Sequence, residues 1–585
     1  MNVVDSLKHF SVGVWQPTAQ TPVSLLGWLK SFFVTPDSDA SHVEAAKNSF
    51  ERYFLQETSG LANLLGPQGI DNFATDVKAK FQSIVERSFN TLSCRKDGSI
   101  NGVDFNAAMK QAGKQASMAM ERLKVDAART NLLANLPPVD TRPQIIAHGK
   151  QFTVIRPAPQ LENLVLRGGG AKGIGYSAAL QQMDRSGMLA GVKHLVGSSA
   201  GALTATCLAT GLSPSQFENG PADALFRPGI LDSFKGGSEL ATLYPDLKLE
   251  GGLAPAVASI KLVDQNSATN VQKFLAVHWQ DEKFQQQLQG FDPQTRARLE
   301  MLRQPAQFDS SRIGKMVTFG DLKALHELAP ETFKLLTITG WNKTDQREEY
   351  FDADGTPDMP LAYAARISMA FPGAFKSVAL ESANEGKKVY ADGGIGSNMP
   401  AEVFTHSKNI DGRSVQLTGE SLEEGQARTL LLTFDEGGQA YQIMYGQPPA
   451  AQPTGLFGKV KAFFVNLITN HPDQASASLA DKIKVWEAGP NALPVFHGNI
   501  STLSFNISDA RQHEAHMLSA WKAFEQIQVR TQQAYSMEYD SLEQVAQLLT
   551  PDEKRALREQ PNASDLQRRL VAVLDRPFVH AASAA

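Results

Sequence analysis

Three glycine-rich stretches hold the side chains best suited to chemistry. The second, HLVGSSAG, fits G-x-S-x-G from Gly197 to Gly201, with Ser198 and Ala200 flanking a central Ser199. Small neighbours let a chain reverse sharply there and leave one hydroxyl exposed at the mouth of the next helix, so Ser199 is the candidate nucleophile. The first, LVLRGGGAKGIG, carries Gly168, Gly169, Gly170 and Gly173. Its backbone N–H groups can face a developing oxyanion, as acyl transfer requires. Lys172 adds a positive charge there or is simply solvated. The third, KKVYADGG, ends a short apolar run in Asp392, Gly393 and Gly394. A carboxylate at a strand end, beside glycines that let another backbone approach, suits a base for Ser199. Asp-Gly is also an ordinary turn, and Asp435 and Glu436 after the run Leu430 to Phe434 are competing carboxylates.

Other readings of the glycines fit less well. Gly168, Gly170 and Gly173 satisfy G-x-G-x-x-G, yet the following strand ends in Gly197 and Ser198 instead of the acidic residue that would hold a ribose. No Lys-Ser or Lys-Thr pair closes the run as a phosphate loop would. His194 lies within the second strand and reads as structural. His513 and His516 in HEAH lack the spacing of a zinc helix and suggest no third ligand, so no metal site is expected.

Each of the first two turns follows an apolar run, Leu164 to Leu166 or His194 to Val196, and opens onto a helical pattern. Strands are also expected at Phe152 to Ile155 (as an edge), Leu335 to Thr339, Glu349 to Phe351, Lys388 to Tyr390 and Leu430 to Phe434. The segment Ser213 to Lys315 reads as a helical insertion, with helices near Leu240 to Leu262 and Asn270 to Leu288. Helices are expected before it at His42 to Gln56, Asn72 to Leu92 and Val103 to Leu133. An apolar cluster from Leu25 to Phe33 precedes those. Leu456 to Ile468 pairs apolar residues with Lys459 and Lys461, suiting a buried helix or a membrane surface. Further amphipathic segments run to Leu574.

The 585 residues, 42% of them hydrophobic, allow two or three domains with a sizeable core. A net charge of −5 argues against nucleic acid as a partner. The two cysteines, Cys94 and Cys207, indicate no disulfide framework, and Cys207 reads as a small core residue. Neither a signal peptide nor a membrane-spanning run is expected.

Taken together, GGGAKG, GSSAG and DGG resemble the patatin-like phospholipase family. The likeness extends in patches from Leu161 to Asp509, through VTFGDL (Val317 to Leu322), LLTITG (Leu335 to Gly340), ISMAFPGAF (Ile367 to Phe375) and TLSFNISD (Thr502 to Asp509), toward a cytotoxin branch delivered by type III secretion. It implies an α/β fold, a patatin-like sheet flanked by helices, with helical N-terminal and C-terminal regions. The expected limits are 1–150, 151–445 and 446–585.

The resemblance further implies phospholipase A2 and lysophospholipase activity on membrane phospholipid through a Ser199–Asp392 dyad. Gly168, Gly169, Gly170, Lys172 and Gly173 then form the oxyanion hole, and no metal or organic cofactor takes part. It implies a secretion chaperone on the first region, host ubiquitin as activator, and a protein made in the bacterial cytoplasm that acts at host membranes. The stretch after TLSFNISD is shorter than the membrane-docking region of such toxins. Two rivals stand: a non-catalytic effector binding lipid or host protein on the same fold, and a neutral-lipid or thioester hydrolase.

Overall fold

The computed structural model describes residues 70–89, 99–134, 143–226, 248–250, 256–306, 313–404, 408–415, 425–435, 491–495 and 507–575, with short gaps inside these spans and a few isolated positions elsewhere. The apolar cluster from Leu25 to Phe33 and the segment Leu456 to Ile468 lie outside them, as do Cys94 and Glu436. The chain divides into two compact units, Met1–Ala127 and Ala128–Ala585.

In the first unit, β1 (Ser38–Asp39) and β2 (Ser99–Ile100) form a short antiparallel bridge. Helix α1 (Ile70–Ser88) precedes β2, and α2 (Gly102–Ala134), which belongs to this unit as far as Ala127, follows it. Apolar residues recur at helical spacing on α2, and Phe105, Met109, Ala112, Ala116 and Leu123 are buried in one core with Val77, Ile84 and Phe89. Both helices match the expected ones to within a few residues.

The second unit opens with β3 (Gln144–His148) and β4 (Gln151–Pro157), then β5 (Asn163–Leu166), α3 (Ile174–Arg185), β6 (His194–Gly197) and α4 (Ala200–Ala209). The insertion supplies β7 (Lys248–Glu250), α5 (Ala256–His278), α6 (Glu282–Gln289) and α7 (Pro293–Arg303). The expected break before Asn270 is absent. The helix runs through to His278, and the chain restarts at α6, whose first amides are capped by the Asp281 carboxylate. Next come α8 (Phe319–Leu328), β8 (Leu335–Asn342), β9 (Arg347–Phe351), α9 (Leu361–Ser368), β10 (Ser377–Ser382) and β11 (Gly386–Asp392). A small hairpin, β12 (Lys408–Ile410) and β13 (Arg413–Val415), leads to β14 (Thr429–Phe434), β15 (Ala492–Val495), α10 (Asp509–Gln532) and β16 (Ala534–Tyr539). Helices at Leu542–Leu548, Pro551–Arg558 and Asp565–Leu574 complete the described chain.

Among the described residues the main sheet has nine strands in the order β15-β14-β5-β6-β8-β11-β10-β7, with β9 also on β8. Strands β15 to β8 are mutually parallel, and β9, β11, β10 and β7 continue antiparallel. The central strands read as unbroken apolar runs because both faces are covered. Alternation sorts them: Leu164, Leu166, Leu195, Leu430 and Leu432 enter the large core with α3, α4 and α9. Val165, Val196 and Leu431 enter a smaller one with Met399 and Ala401. Helix α4 is built almost entirely of small residues and is buried along its length, which seats it closely against β6.

Two expectations need correction. Phe152 to Ile155 is not an edge strand: β4 is the centre of a separate three-stranded antiparallel sheet, between β3 and β16. That sheet shares its core with the last three helices, so the mainly helical C-terminal region also supplies the strand β16. The limit at 445 is also crossed, because β15 pairs with β14 and α10 packs along α3. Buried Arg530 of α10 donates to the carbonyls of Pro159 and Ala427 (the latter at 2.7 Å) and to Asn491 Oδ1 at 3.0 Å, fastening the helix to the loops that start β5 and β14.

A fragment ending at residue 445 would expose the edge of β14 and the apolar side of α3. It is expected to bind a hydrophobic dye and to lack a cooperative melt. In the same fragment started at residue 128, so that the first unit contributes no transition of its own, a sharp thermal transition in calorimetry would contradict the assignment of β15 and α10 to this unit.

Candidate active site

Strand register brings the first and third motifs to the second. Gly197 of β6 pairs with Ile338 of β8, and Gly340, two residues further along β8, pairs with Asp392 of β11. Asp392 therefore sits level with the point where Ser199 leaves the sheet, with one strand between them. That spacing is about 10 Å from backbone to backbone, which two short side chains reaching toward each other can close.

They do close it. Ser199 Oγ donates to Asp392 Oδ2 at 2.8 Å, and both residues are buried. The second carboxylate oxygen accepts the Gly394 N–H at 2.8 Å. Ser199 itself has φ 50° and ψ −119°, and it caps α4. A residue with a side chain rarely adopts this conformation, which costs roughly 1–3 kcal/mol and persists only where its surroundings enforce it. Enforcement is visible at Gly201, where a Cβ would lie 2.1 Å from the carbonyl oxygen of Leu166. Only glycine allows the start of α4 to approach β5 so closely.

Burial pushes Asp392 up to about 7, against the hydrogen bonds from Ser199 and Gly394 and the positive charge of Arg366, all of which favour the carboxylate. Its proton affinity thus lies where a general base works best near neutrality. Arg366 is 1% exposed and donates to the Lys376 carbonyl at 2.5 Å, and burial lowers its pKa only to about 10, so it stays charged.

The oxyanion candidates separate on inspection. The Gly168 N–H is spent on the Asn398 carbonyl at 3.0 Å, while Asn398 Nδ2 donates to the Gly168 carbonyl at 3.2 Å. Gly168 is thus a structural hinge instead of a donor, and a Cβ there would lie 2.2 Å from Asn398 Oδ1. Gly170 to Gly173 form one 3-10 turn, with Lys172 donating its N–H to the Gly169 carbonyl. The amides of Gly169 and Gly170 have no acceptor among the described residues. With the Ala200 N–H at the positive end of α4, they are the groups that can hold an anion. Lys172 is 9% exposed, its ammonium 6.0 Å from the centre of the Phe434 ring. Gly173 packs against Ala200, where a Cβ would stand 3.1 Å away.

His194 lies at the opposite end of β6 from Gly197. Its Nε2 meets Thr337 Oγ1 at 2.9 Å, and burial pushes its pKa down to about 4, so it is a neutral structural residue. Cys207 is fully buried, with its thiol pushed up to about 12. His516 pairs with Glu218, and among the described residues no three His, Cys, Asp or Glu side chains converge as metal ligands do. Three neighbours of the dyad escaped sequence reasoning: Arg366, Ser368 and Asn398. The ISMAFPGAF stretch begins inside α9, but nothing in its composition marks which side chain faces the site.

The raised proton affinity of Asp392 has a consequence for stability. A carboxyl held above its unfolded value contributes stability at low pH and loses it as pH rises through about 7. Asp392→Asn removes the buried charge. Its melting temperature is expected to match that of the wild type near pH 4 and to exceed it at pH 8, by up to about 4 kcal/mol in stability terms. A difference that shrinks with rising pH would refute the assignment.

Residues 164–405, a span that includes all three glycine-rich turns, match the family model described as patatin-like phospholipase. Among solved structures, the chain is similar to the complex of full-length SpcU with full-length ExoU from the type III secretion system of Pseudomonas aeruginosa, at 20% identity and a TM-score of 0.44, covering 74% of this chain and 65% of that one. It is similar also to VipD from Legionella pneumophila, at 16% identity and a TM-score of 0.39, covering 76% and 79%. The chain therefore spans slightly under two thirds of the length of that ExoU chain. No curated protein matches. The span that matches the patatin-like phospholipase model runs from β5 to the turns after β11 and so contains the strands β6, β8 and β11 that bring Ser199 to Asp392.

Proposed function

We propose that the protein is a serine acyl hydrolase that cleaves the acyl esters of membrane phospholipids, with phospholipase A2 and lysophospholipase activity. The observation that carries this reading is the 2.8 Å hydrogen bond from Ser199 to a buried Asp392 whose proton affinity lies near neutrality. Asp392 takes the hydroxyl proton as Ser199 Oγ attacks the ester carbonyl. The carbonyl oxygen becomes an anion accepted by the Gly169, Gly170 and Ala200 amides. Collapse breaks the bond to the glycerol oxygen, which leaves with the proton held by Asp392, and an acyl-serine remains. Water, deprotonated by the same carboxylate, then releases the fatty acid and restores the hydroxyl. The scheme is complete without a metal or organic cofactor.

The proposal extends to a bacterial effector made in the producing cell's cytoplasm and delivered by type III secretion to host membranes, with a chaperone on the first 150 residues and host ubiquitin as activator. The sequence resemblance supports these partners. No helix among the described residues is long and apolar enough to cross a membrane.

Fatty-acid release from phosphatidylcholine vesicles, with and without ubiquitin, tests both levels. Ser199→Ala and Asp392→Ala are expected to lose activity by roughly 1000-fold or more. The rate should rise with pH through about 7, being about tenfold lower at pH 6 than on its plateau, because the base must be ionised. Variants as active as the wild type would end the hydrolase reading; equal rates without ubiquitin would end that of the activator.

A further inference from the structure

The nucleophile's own amide is already engaged. The Ser199 N–H donates to Ser368 Oγ at 2.8 Å, a contact buried from solvent, with Ser368 0% exposed. Two residues further on, the Ala370 carbonyl accepts the Asp392 N–H at 3.0 Å. The end of α9 and the turn after it therefore hold both partners of the dyad, one through a side chain and one through the backbone. The two strand ends have no direct pairing with each other, since β8 lies between them.

We infer that Ser368 is a positioning residue: its hydroxyl holds the Ser199 backbone in the φ 50° conformation and so sets the distance from Ser199 Oγ to Asp392. A buried N–H left without an acceptor costs free energy, and the elbow is already an unfavourable conformation. Without Ser368 Oγ, the Ser199 N–H loses the acceptor that fixes the orientation of its peptide, and the strained elbow is freer to relax away from the geometry that aims Oγ at the carboxylate. Engagement by Ser368 also removes the Ser199 amide from the oxyanion donors, leaving those of Gly169, Gly170 and Ala200.

The inference rests on the hydrolase reading, and the test separates the two. Threonine and valine have nearly the same shape, but only threonine keeps the hydroxyl. Ser368→Ala, Ser368→Val and Ser368→Thr would be compared with Ser199→Ala in the full-length chain. The readouts are kcat and KM on phosphatidylcholine vesicles, the rate at which a fluorophosphonate labels Ser199, and the melting temperature. Alanine and valine are expected to lower kcat and the labelling rate by about tenfold or more, with KM within roughly twofold, while threonine recovers most of the loss. Alanine as fast as the wild type, or threonine as slow as valine, would overturn the role of Ser368. Ser199→Ala labelled and active like the wild type would instead overturn the hydrolase reading itself.

Discussion

The molecule turns on one hydrogen bond between two residues 193 positions apart, Ser199 and Asp392, each at the end of a strand and separated by a third. Its existence depends on register. Shifting β11 by one residue on β8 would turn Asp392 to the other face of the sheet, since successive side chains alternate. The apolar side chains of β5, β6 and β14 fix the neighbouring pairings, because their two faces enter different cores and cannot be exchanged at low cost, while Leu336 and Ile338 of β8 enter the larger core and Thr337 and Thr339 take its other face.

A second constraint is the tightness of the elbow. Small residues run from Gly197 through α4, and they bring backbone against backbone between β5 and the helix. This closeness directs the positive end of α4 at the place where negative charge would develop. The same packing thus creates strain at Ser199 and an anion-holding end at Ala200, beside an Asp392 whose own burial raises its proton affinity.

Support for this arrangement comes from parts of the chain far from the motifs. The end of α9 and the turn after it bond to both dyad residues, Asn398 occupies the backbone of Gly168, and Arg530 fastens α10 to the loops that begin β5 and β14. Structural and chemical parts of the unit are consequently not separable at residue 445. The edge strand β15 and the covering helix α10 arrive only after a long excursion.

Local chemistry was legible in the sequence. Runs such as LVL and TLLLTF announce buried strands, and glycine clusters announce sharp turns, because neither depends on distant partners. Ser199, Asp392 and the elbow glycines could be named for that reason. What the sequence could not state was which distant atom meets which. The engagement of the Gly168 amide by Asn398, the support from Ser368, the charge of Arg366 and the joining of β16 to β4 are all decided by register and packing. Residue type states what a group can donate, accept or ionise, but only the folded chain sets its neighbours and its access to water, and with them which of those capacities it uses.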